Sequence, residues 1–196
     1  MEKLKKQYLF IDECGDPEFY GKGKKLLVGQ PGYQPLLIVG MIITENRKLL
    51  RKKVLEFQEG ILADPLYKSI PSLKKPKGWY LHAKDDHPEV RAKFFEFLRN
   101  LKGYETYIVI GRKKLELFTK KHNSNPTEFY FNLLYHLLNN QVNKSNEFYQ
   151  IYLAHRHKTT MYKFIETLKK AIKFDNINKV PDNYHCDIIK STNILK

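Results

Sequence analysis

The sequence has few cysteines, no long apolar run, and no apolar segment behind its charged start. Cys14 and Cys186 are the two cysteines among 196 residues, and they lack the close pairing of a structural zinc site. Without a secretory signal, we expect free thiols rather than a disulfide. No run approaches the length of a membrane span, and no signal-type apolar stretch follows residues 1–6. We therefore expect a cytoplasmic protein that makes no contact with a membrane.

The composition is that of a folded protein. Hydrophobic residues make up 42% of the chain and aromatic residues 13%, which argues against intrinsic disorder. A chain of 196 residues has the size of one domain and can bury a substantial core. We predict a single domain over residues 1–196.

The net charge points to a class of partner. Lysine and arginine outnumber the acids, and the formal charge is +14. A charge this large on a small protein favours a polyanion, with nucleic acid first. The alternative is a lysine-rich surface that is simply solvated.

Three acids follow the first apolar run of the sequence. Residues 8–11 predict a buried strand, and Asp12, Glu13 and Asp16 come directly after it, where Gly15 breaks the chain. Like charges this close repel one another, and a divalent cation would offset the repulsion. Mg²⁺ (or Mn²⁺) prefers hard oxygen ligands of this kind. The pattern indicates a metal or acid–base site, with the alternative that polar residues merely follow the end of a strand.

The order of the predicted elements indicates an α/β fold. Strands are predicted over residues 8–11, 36–43, 104–111, 147–154 and 184–189, with a short one over 26–28. Helices are predicted over residues 45–62, 88–101 and 126–138, and from Thr159 or Thr160 to about residue 174. The first of them is capped by Thr44, and residues 112–121 form a short helix or a turn. Two early strands with no helix between them argue against a Rossmann sheet. The order resembles that of the ribonuclease-H-like fold, a mixed central sheet flanked by helices, with residues 45–101 as a helical insertion after strand two.

Basic residues occur at points where this fold exposes loops. Lys22, Lys24 and Lys25 lie in the Gly-rich connection after strand one, and Arg156 and Lys158 follow strand four. Functional groups collect at strand ends in α/β sheets, so a basic strand end beside an acidic one suggests phosphate contacts. We expect a basic strip that passes the Asp12 end of the sheet.

A lone histidine adds a further candidate. His82 ends the apolar segment of residues 78–83 and is followed by Lys84. Such a histidine is either packed for structural reasons or available for proton transfer. Asp85 and Asp86, just before Pro88, are most simply acids at a helix start.

The opening motif resembles that of a known prokaryotic family. Residues 8–16, Tyr-Leu-Phe-Ile-Asp-Glu-Cys-Gly-Asp, resemble the start of the family called domain of unknown function 3800, in which an apolar strand runs into Asp-Glu-Ser-Gly-Asp. Cys14 stands where that family has serine. The strand over 36–43, the segment 81–83 and the helix over 130–138 resemble later blocks of the family. The resemblance implies a ribonuclease-H-like fold, in proteins found near mobile elements and phage-defence genes.

Two departures from the family pattern affect the acid set. The family continues past its last strand into a helix with an Ala-Asp pair, and this sequence ends at Lys196 before such a segment. Nucleases with this fold often have an acid after strand four, where this chain has His155 and Arg156. We therefore expect the family's acid set to be incomplete here.

Three functions are compatible with these residues. The first is a metal-dependent nuclease or related phosphodiester-cleaving enzyme, with Asp12 as the central metal ligand and Glu13 or Asp16 as the second. Under this nuclease hypothesis, His82 shuttles a proton or contacts phosphate. The second is a nucleic-acid-binding or partner-binding module without turnover, which the missing acid favours. The third is a phosphotransferase with Asp12 as nucleophile.

In the nuclease reading, phosphate groups of the substrate are held by basic side chains close to the acids. The candidates are Lys84, Arg156 and Lys158, together with the lysines of the connection after strand one.

Overall fold

The computed structural model describes residues 5–74, 78–81, 86–139, 141–142, 147–154, 160–173 and 182–189. The chain forms two compact units, one made of residues 44–104 and the other of the segments before and after it. The strands are β1 (Lys5–Cys14), β2 (Leu36–Thr44), β3 (Glu105–Arg112), β4 (Glu147–Ala154) and β5 (Tyr184–Ile189). The helices are α1 (Arg47–Ala63), α2 (Pro88–Asn100), α3 (Leu115–His122), α4 (Pro126–Leu138) and α5 (Thr160–Ala171). Short 3-10 turns cover Lys22–Lys24, Pro65–Tyr67 and Pro71–Lys74.

The strands form one mixed five-stranded sheet in the order β3-β2-β1-β4-β5. β1 is parallel to β4, β4 is parallel to β5, and β2 is antiparallel to β3. The predicted α/β class is confirmed, as is the prediction that strand one lies between strands two and four. β1 is therefore the central strand, with β2 on one side and β4 on the other.

β1 is longer than its apolar run predicted. Its pairing with β4 begins at Lys5↔Glu147 and continues to Ile11↔Leu153, so backbone hydrogen bonds extend the strand beyond the hydrophobic residues. Leu9 and Ile11 are fully buried on one face. This alternation of buried and exposed side chains is the period-2 pattern of a sheet with one covered face.

The helices α3, α4 and α5 contribute side chains to the same core as that face of the sheet. Phe118, Leu134 and Phe164, one from each helix, belong to one buried cluster with Leu9 and Ile11. The predicted helix over 126–138 is confirmed as α4, which starts at Pro126. Its N-cap is Asn125, whose side chain accepts hydrogen bonds from the backbone N–H groups of residues 127 and 128.

The unit formed by residues 44–104 corrects one prediction and adds to another. Thr44 does not cap the first helix: it is the last residue of β2, and its Oγ1 donates to the Gly103 carbonyl at 2.7 Å. The cap is Asn46, whose side chain accepts from the Leu49 N–H. Asp86 lies directly before His87, the N-cap of α2, as predicted, and it is also 4% exposed and accepts a 2.7 Å hydrogen bond from Trp79 Nε1. A buried carboxylate needs such a partner.

The remaining local predictions have mixed outcomes. Residues 26–28 form no strand, because Leu26 makes an isolated bridge with Tyr20 and nothing longer. Cys14 and Cys186 are free thiols, as expected. No helix in the described ranges is both long and apolar enough to cross a membrane.

Candidate functional site

Asp12 lies near the carboxyl end of the central strand. Its neighbour Ile11 is the last β1 residue paired with β4. Asp12 therefore belongs to the central strand but lies beyond the part of it that pairs with β4. Asp12 is exposed, and its Oδ1 accepts a hydrogen bond from the Glu13 N–H at 2.9 Å. The predicted position of Asp12, at a strand end reachable by solvent, is confirmed.

Glu13 faces the other side of the sheet. Successive residues of a strand point to opposite faces, and Glu13 follows Leu9 and Ile11 on the covered face. There the Tyr130 hydroxyl of α4 donates to Glu13 Oε2 at 3.3 Å. Tyr130 is 2% exposed, so Glu13 is tied to the helix layer while Asp12 faces away from it.

Residues 12–16, here called the acid turn, contain the end of β1 and bend at Gly15. Gly15 has a φ of +103°, and a Cβ built on it would be 2.7 Å from the Leu36 carbonyl oxygen. A side chain is therefore excluded both by conformation and by space. Asp16 follows as an exposed residue, and its Oδ1 accepts from the Glu18 N–H at 2.7 Å.

A buried lysine lies beneath this turn. Lys113 follows β3 and is 6% exposed. Its Nζ donates to the backbone carbonyls of Asp16 at 3.0 Å and Glu18 at 2.6 Å, and it lies over the rings of Phe19 and Tyr33, 5.2 and 4.4 Å from their centroids. Burial lowers the pKa of the Lys113 amine, and the charges of Asp16 and Glu18 oppose that shift.

No protein-family model matches the chain, and no curated protein matches it. The chemistry of the site is therefore argued from its own residues.

The acid turn continues directly into a basic loop. Residues 20–26, here called the lysine loop, are closed by the Tyr20–Leu26 bridge and by a 2.8 Å hydrogen bond from the Gly21 N–H to the Lys25 carbonyl. The side chains of Lys22, Lys24 and Lys25 are exposed on it. The predicted basic connection is thus an ordered loop that presents three ammonium groups to solvent.

Phe19 anchors the junction between the acid turn and the lysine loop. It is fully buried, and its ring stacks on Phe118 of α3 with the centroids 3.8 Å apart. Phe129 of α4 meets it edge-on. Both segments are therefore attached close to a residue that is packed in the core.

The carboxylates of Asp12 and Asp16 are hard-oxygen donors of the kind that Mg²⁺ accepts. Within the described ranges, no three His, Cys, Asp or Glu side chains come together as a metal-binding group. Mg²⁺ is usually held by one or two carboxylates, with waters and substrate phosphates completing its shell. Asp12 and Asp16 supply two exposed hard-oxygen donors of that type.

Four predicted site residues lie outside the described residues: His82, Lys84, Arg156 and Lys158. Their roles remain predictions. β4 ends at Ala154, two residues before the first of the basic pair that follows it in the sequence.

A separate polar cleft of about 420 Å³ is lined by α4, α5 and the end of α3. Glu166 in it is bonded to Lys170 at 2.9 Å and approached by Lys163 at 3.8 Å, and the hydrogen bond from Lys170 lowers its pKa. His122, on its rim, has a pKa lowered by burial. The negative charge of Glu166 is thus already balanced by two lysines.

Sequence reasoning missed Lys113 and Tyr130. Tyr130 could have been found, because it lies four residues before Leu134 and so on the inward stripe of α4. Lys113 continues the less exposed alternate positions 107, 109 and 111 of β3, but a charged residue there normally marks the end of the covered strand. It stands between Arg112 and Lys114 in a basic run that reads as solvated surface.

Proposed function

We propose that the chain is a metal-dependent phosphodiester-cleaving enzyme that acts on nucleic acid. The observation that carries the proposal is the placement of Asp12. It is an exposed carboxylate at the end of the central strand, followed by exposed Asp16 across a turn that admits no side chain at position 15.

The strand order supports a ribonuclease-H-like fold as part of the same proposal. An order of β3-β2-β1-β4-β5, with parallel pairs on one side of β1 and the antiparallel β2–β3 pair on the other, is compatible with that fold. It agrees with the resemblance of the opening motif to the domain of unknown function 3800 family. Fold analogy alone does not establish function, so the site residues carry the chemical part.

Asp12 and Asp16 are the residues that would hold Mg²⁺ or Mn²⁺. When bound, such an ion lowers the pKa of a coordinated water and offsets charge on the phosphate being cleaved. Glu13 would act from the opposite face of β1, because its carboxylate is held by Tyr130. It therefore serves the site by fixing the strand end rather than as the nearest second ligand.

The lysine loop supplies the nucleic-acid contact in this proposal. Lys22, Lys24 and Lys25 are exposed on a loop anchored by buried Phe19, and exposed ammonium groups bind phosphate without reading sequence. The chain's formal charge of +14 adds long-range attraction to any polyanion. Binding by this route is strong at low salt and tolerant of sequence.

Cleavage in the presence and absence of a divalent cation tests the proposal. Labelled single-stranded and duplex DNA and RNA are incubated with the protein in Mg²⁺, in Mn²⁺ and in EDTA. We expect cleavage of at least one substrate that EDTA abolishes. Salt-sensitive binding of all four nucleic acids without cleavage would favour the second candidate, a binding module without turnover. The exposed lysine loop would still explain that binding.

A further inference from the structure

Lys113 is a buried ammonium group that contacts the backbone on both sides of Pro17 and the rings of Phe19 and Tyr33. At 6% exposure it has left water, which costs free energy unless its protons are bonded. Its Nζ meets that need at the carbonyls of Asp16 and Glu18, at 3.0 and 2.6 Å. The Phe19 and Tyr33 rings, at 5.2 and 4.4 Å, offer their negative faces to the same group.

These two hydrogen bonds fix the backbone on both sides of Pro17. The carbonyls of residues 16 and 18 are drawn toward Lys113, in the interior, whereas the Asp16 side chain is exposed. The Asp16 carboxylate is fixed further by accepting from the Glu18 N–H at 2.7 Å. Lys113 itself is placed by its backbone N–H, which donates to the Pro35 carbonyl at 2.8 Å.

We propose that Lys113 is a positioning residue of the candidate cation site, which holds Asp16 where it can bind a divalent cation together with Asp12. This inference rests on the proposed function and adds to it a residue that touches neither substrate nor cation. The ammonium group acts in two ways. It orients the peptide that bears Asp16, and its positive charge beneath the turn offsets part of the repulsion between the acids.

The positioning role of Lys113 can be tested without an activity assay. The measurement is the affinity of the protein for Mn²⁺, obtained by electron paramagnetic resonance of the free ion. Lys113→Met keeps the length of the side chain and removes its charge and donors. We expect it to weaken Mn²⁺ binding by about tenfold or more, the usual effect of removing a group that orients a metal ligand. Lys114→Met, at the exposed neighbouring position, is the matched control and leaves the affinity unchanged.

A double-mutant cycle separates positioning of Asp16 from a general effect on the fold. Asp16→Asn weakens Mn²⁺ binding by itself. If Lys113 acts through Asp16, then adding Lys113→Met to Asp16→Asn causes little further loss. Equal losses by Lys113→Met in both backgrounds would mean that the lysine stabilises the fold without positioning the ligand, and would overturn the proposal.

A measurement on the wild type tests the proposal even if Lys113→Met does not fold. Protection from water gives a buried ammonium such as that of Lys113 a slowly exchanging signal in ¹⁵N-lysine NMR spectra. We expect Mg²⁺ to shift that signal with the same midpoint as cation binding. A signal that stays fixed while Mg²⁺ binds would overturn the proposal, as would unchanged Mn²⁺ affinity in Lys113→Met. A wild type that binds no Mn²⁺ at all would overturn the proposed metal site as well, so the two failures are distinguishable.

Discussion

Gly15 lies so close to Leu36 that a Cβ on the glycine would be 2.7 Å from the Leu36 carbonyl oxygen. The acid turn is thus packed directly against the first residue of β2, and Gly15 also has a φ of +103°. We expect Gly15→Ala to lower the free energy of unfolding by about 2 kcal/mol or more, the sum of backbone strain and a clash with a carbonyl that cannot move freely.

Gly32→Ala is the matched control for this substitution. Gly32 also has a positive φ, +79°, but a Cβ there meets nothing within 4 Å. It therefore reports the conformational cost alone, about 1 kcal/mol. Urea unfolding measures both variants, and equal losses would show that the contact with Leu36 is not tight.

The lysine loop should carry a measurable share of nucleic-acid binding. We expect the triple replacement of Lys22, Lys24 and Lys25 by glutamine to reduce the slope of log K against log salt by roughly two to three, since each phosphate contact releases condensed counterions. Fluorescence anisotropy with a labelled oligonucleotide gives the slope. The control replaces three exposed lysines of the other unit, Lys48, Lys68 and Lys102, with the same change in net charge. An equal effect of both triples would indicate a diffuse basic surface.

His122 should make stability depend on pH in the mildly acidic range. Burial lowers its pKa below the ordinary 6.5, the nearby Glu128 opposes the shift, and Lys121 adds to it. The unfolded chain therefore binds more protons between the two pKa values, so the contribution of His122 is fully present above pH 6.5 and is lost as the pH falls through the folded-state pKa. We expect the urea midpoint of the wild type to fall more between about pH 7.5 and pH 5 than that of His122→Gln. If the urea midpoints of the two proteins fall equally with pH, His122 does not contribute to the pH dependence of stability.

The two thiols should differ in reactivity. Cys14 is exposed within the acid turn, whereas Cys186 on β5 is half-buried and its pKa is raised to about 12 by burial. The thiolate is the reactive species, so Cys186 is protonated at neutral pH. We expect one fast thiol in a titration with Ellman's reagent, abolished by Cys14→Ser. Two fast thiols in the wild type would contradict the packing of β5.

The sheet was predictable because apolar runs determine it locally. Residues 36–43 and 104–111 are predicted strands that the structure extends or shifts by one residue, to Leu36–Thr44 and Glu105–Arg112. The exposed position of Asp12 was predictable for the same reason, since a charge that ends an apolar run marks the edge of the covered sheet. The start of α1 was less predictable, because Thr44 and Asn46 are both good capping residues and the hydrogen bond of Thr44 to Gly103 depends on a distant segment.

Lys113 shows why the rest of the site was not predictable. Its sequence neighbours Arg112 and Lys114 are basic and exposed, and its place after positions 107, 109 and 111 on the less exposed side of β3 does not by itself predict that a lysine is buried. It is buried because β3 ends beside Pro35 and the acid turn folds over that point, which joins three segments far apart in the sequence. A lysine becomes internal only when such segments together supply carbonyls and aromatic faces, and that coincidence has no local signature.

The central claim is that the acid turn performs cleavage while other residues bind the nucleic acid. It is tested most directly by measuring binding and Mg²⁺-dependent cleavage on the same samples of wild type, Asp12→Asn and Glu18→Gln. Glu18 is an exposed acid of the same segment and serves as the control. We predict that Asp12→Asn cleaves about 100-fold more slowly or worse, because several kcal/mol of charge stabilisation depend on the cation it holds, and that it binds at least as tightly as the wild type. Glu18→Gln should cleave at close to the wild-type rate. Cleavage by Asp12→Asn at the wild-type rate would contradict the account.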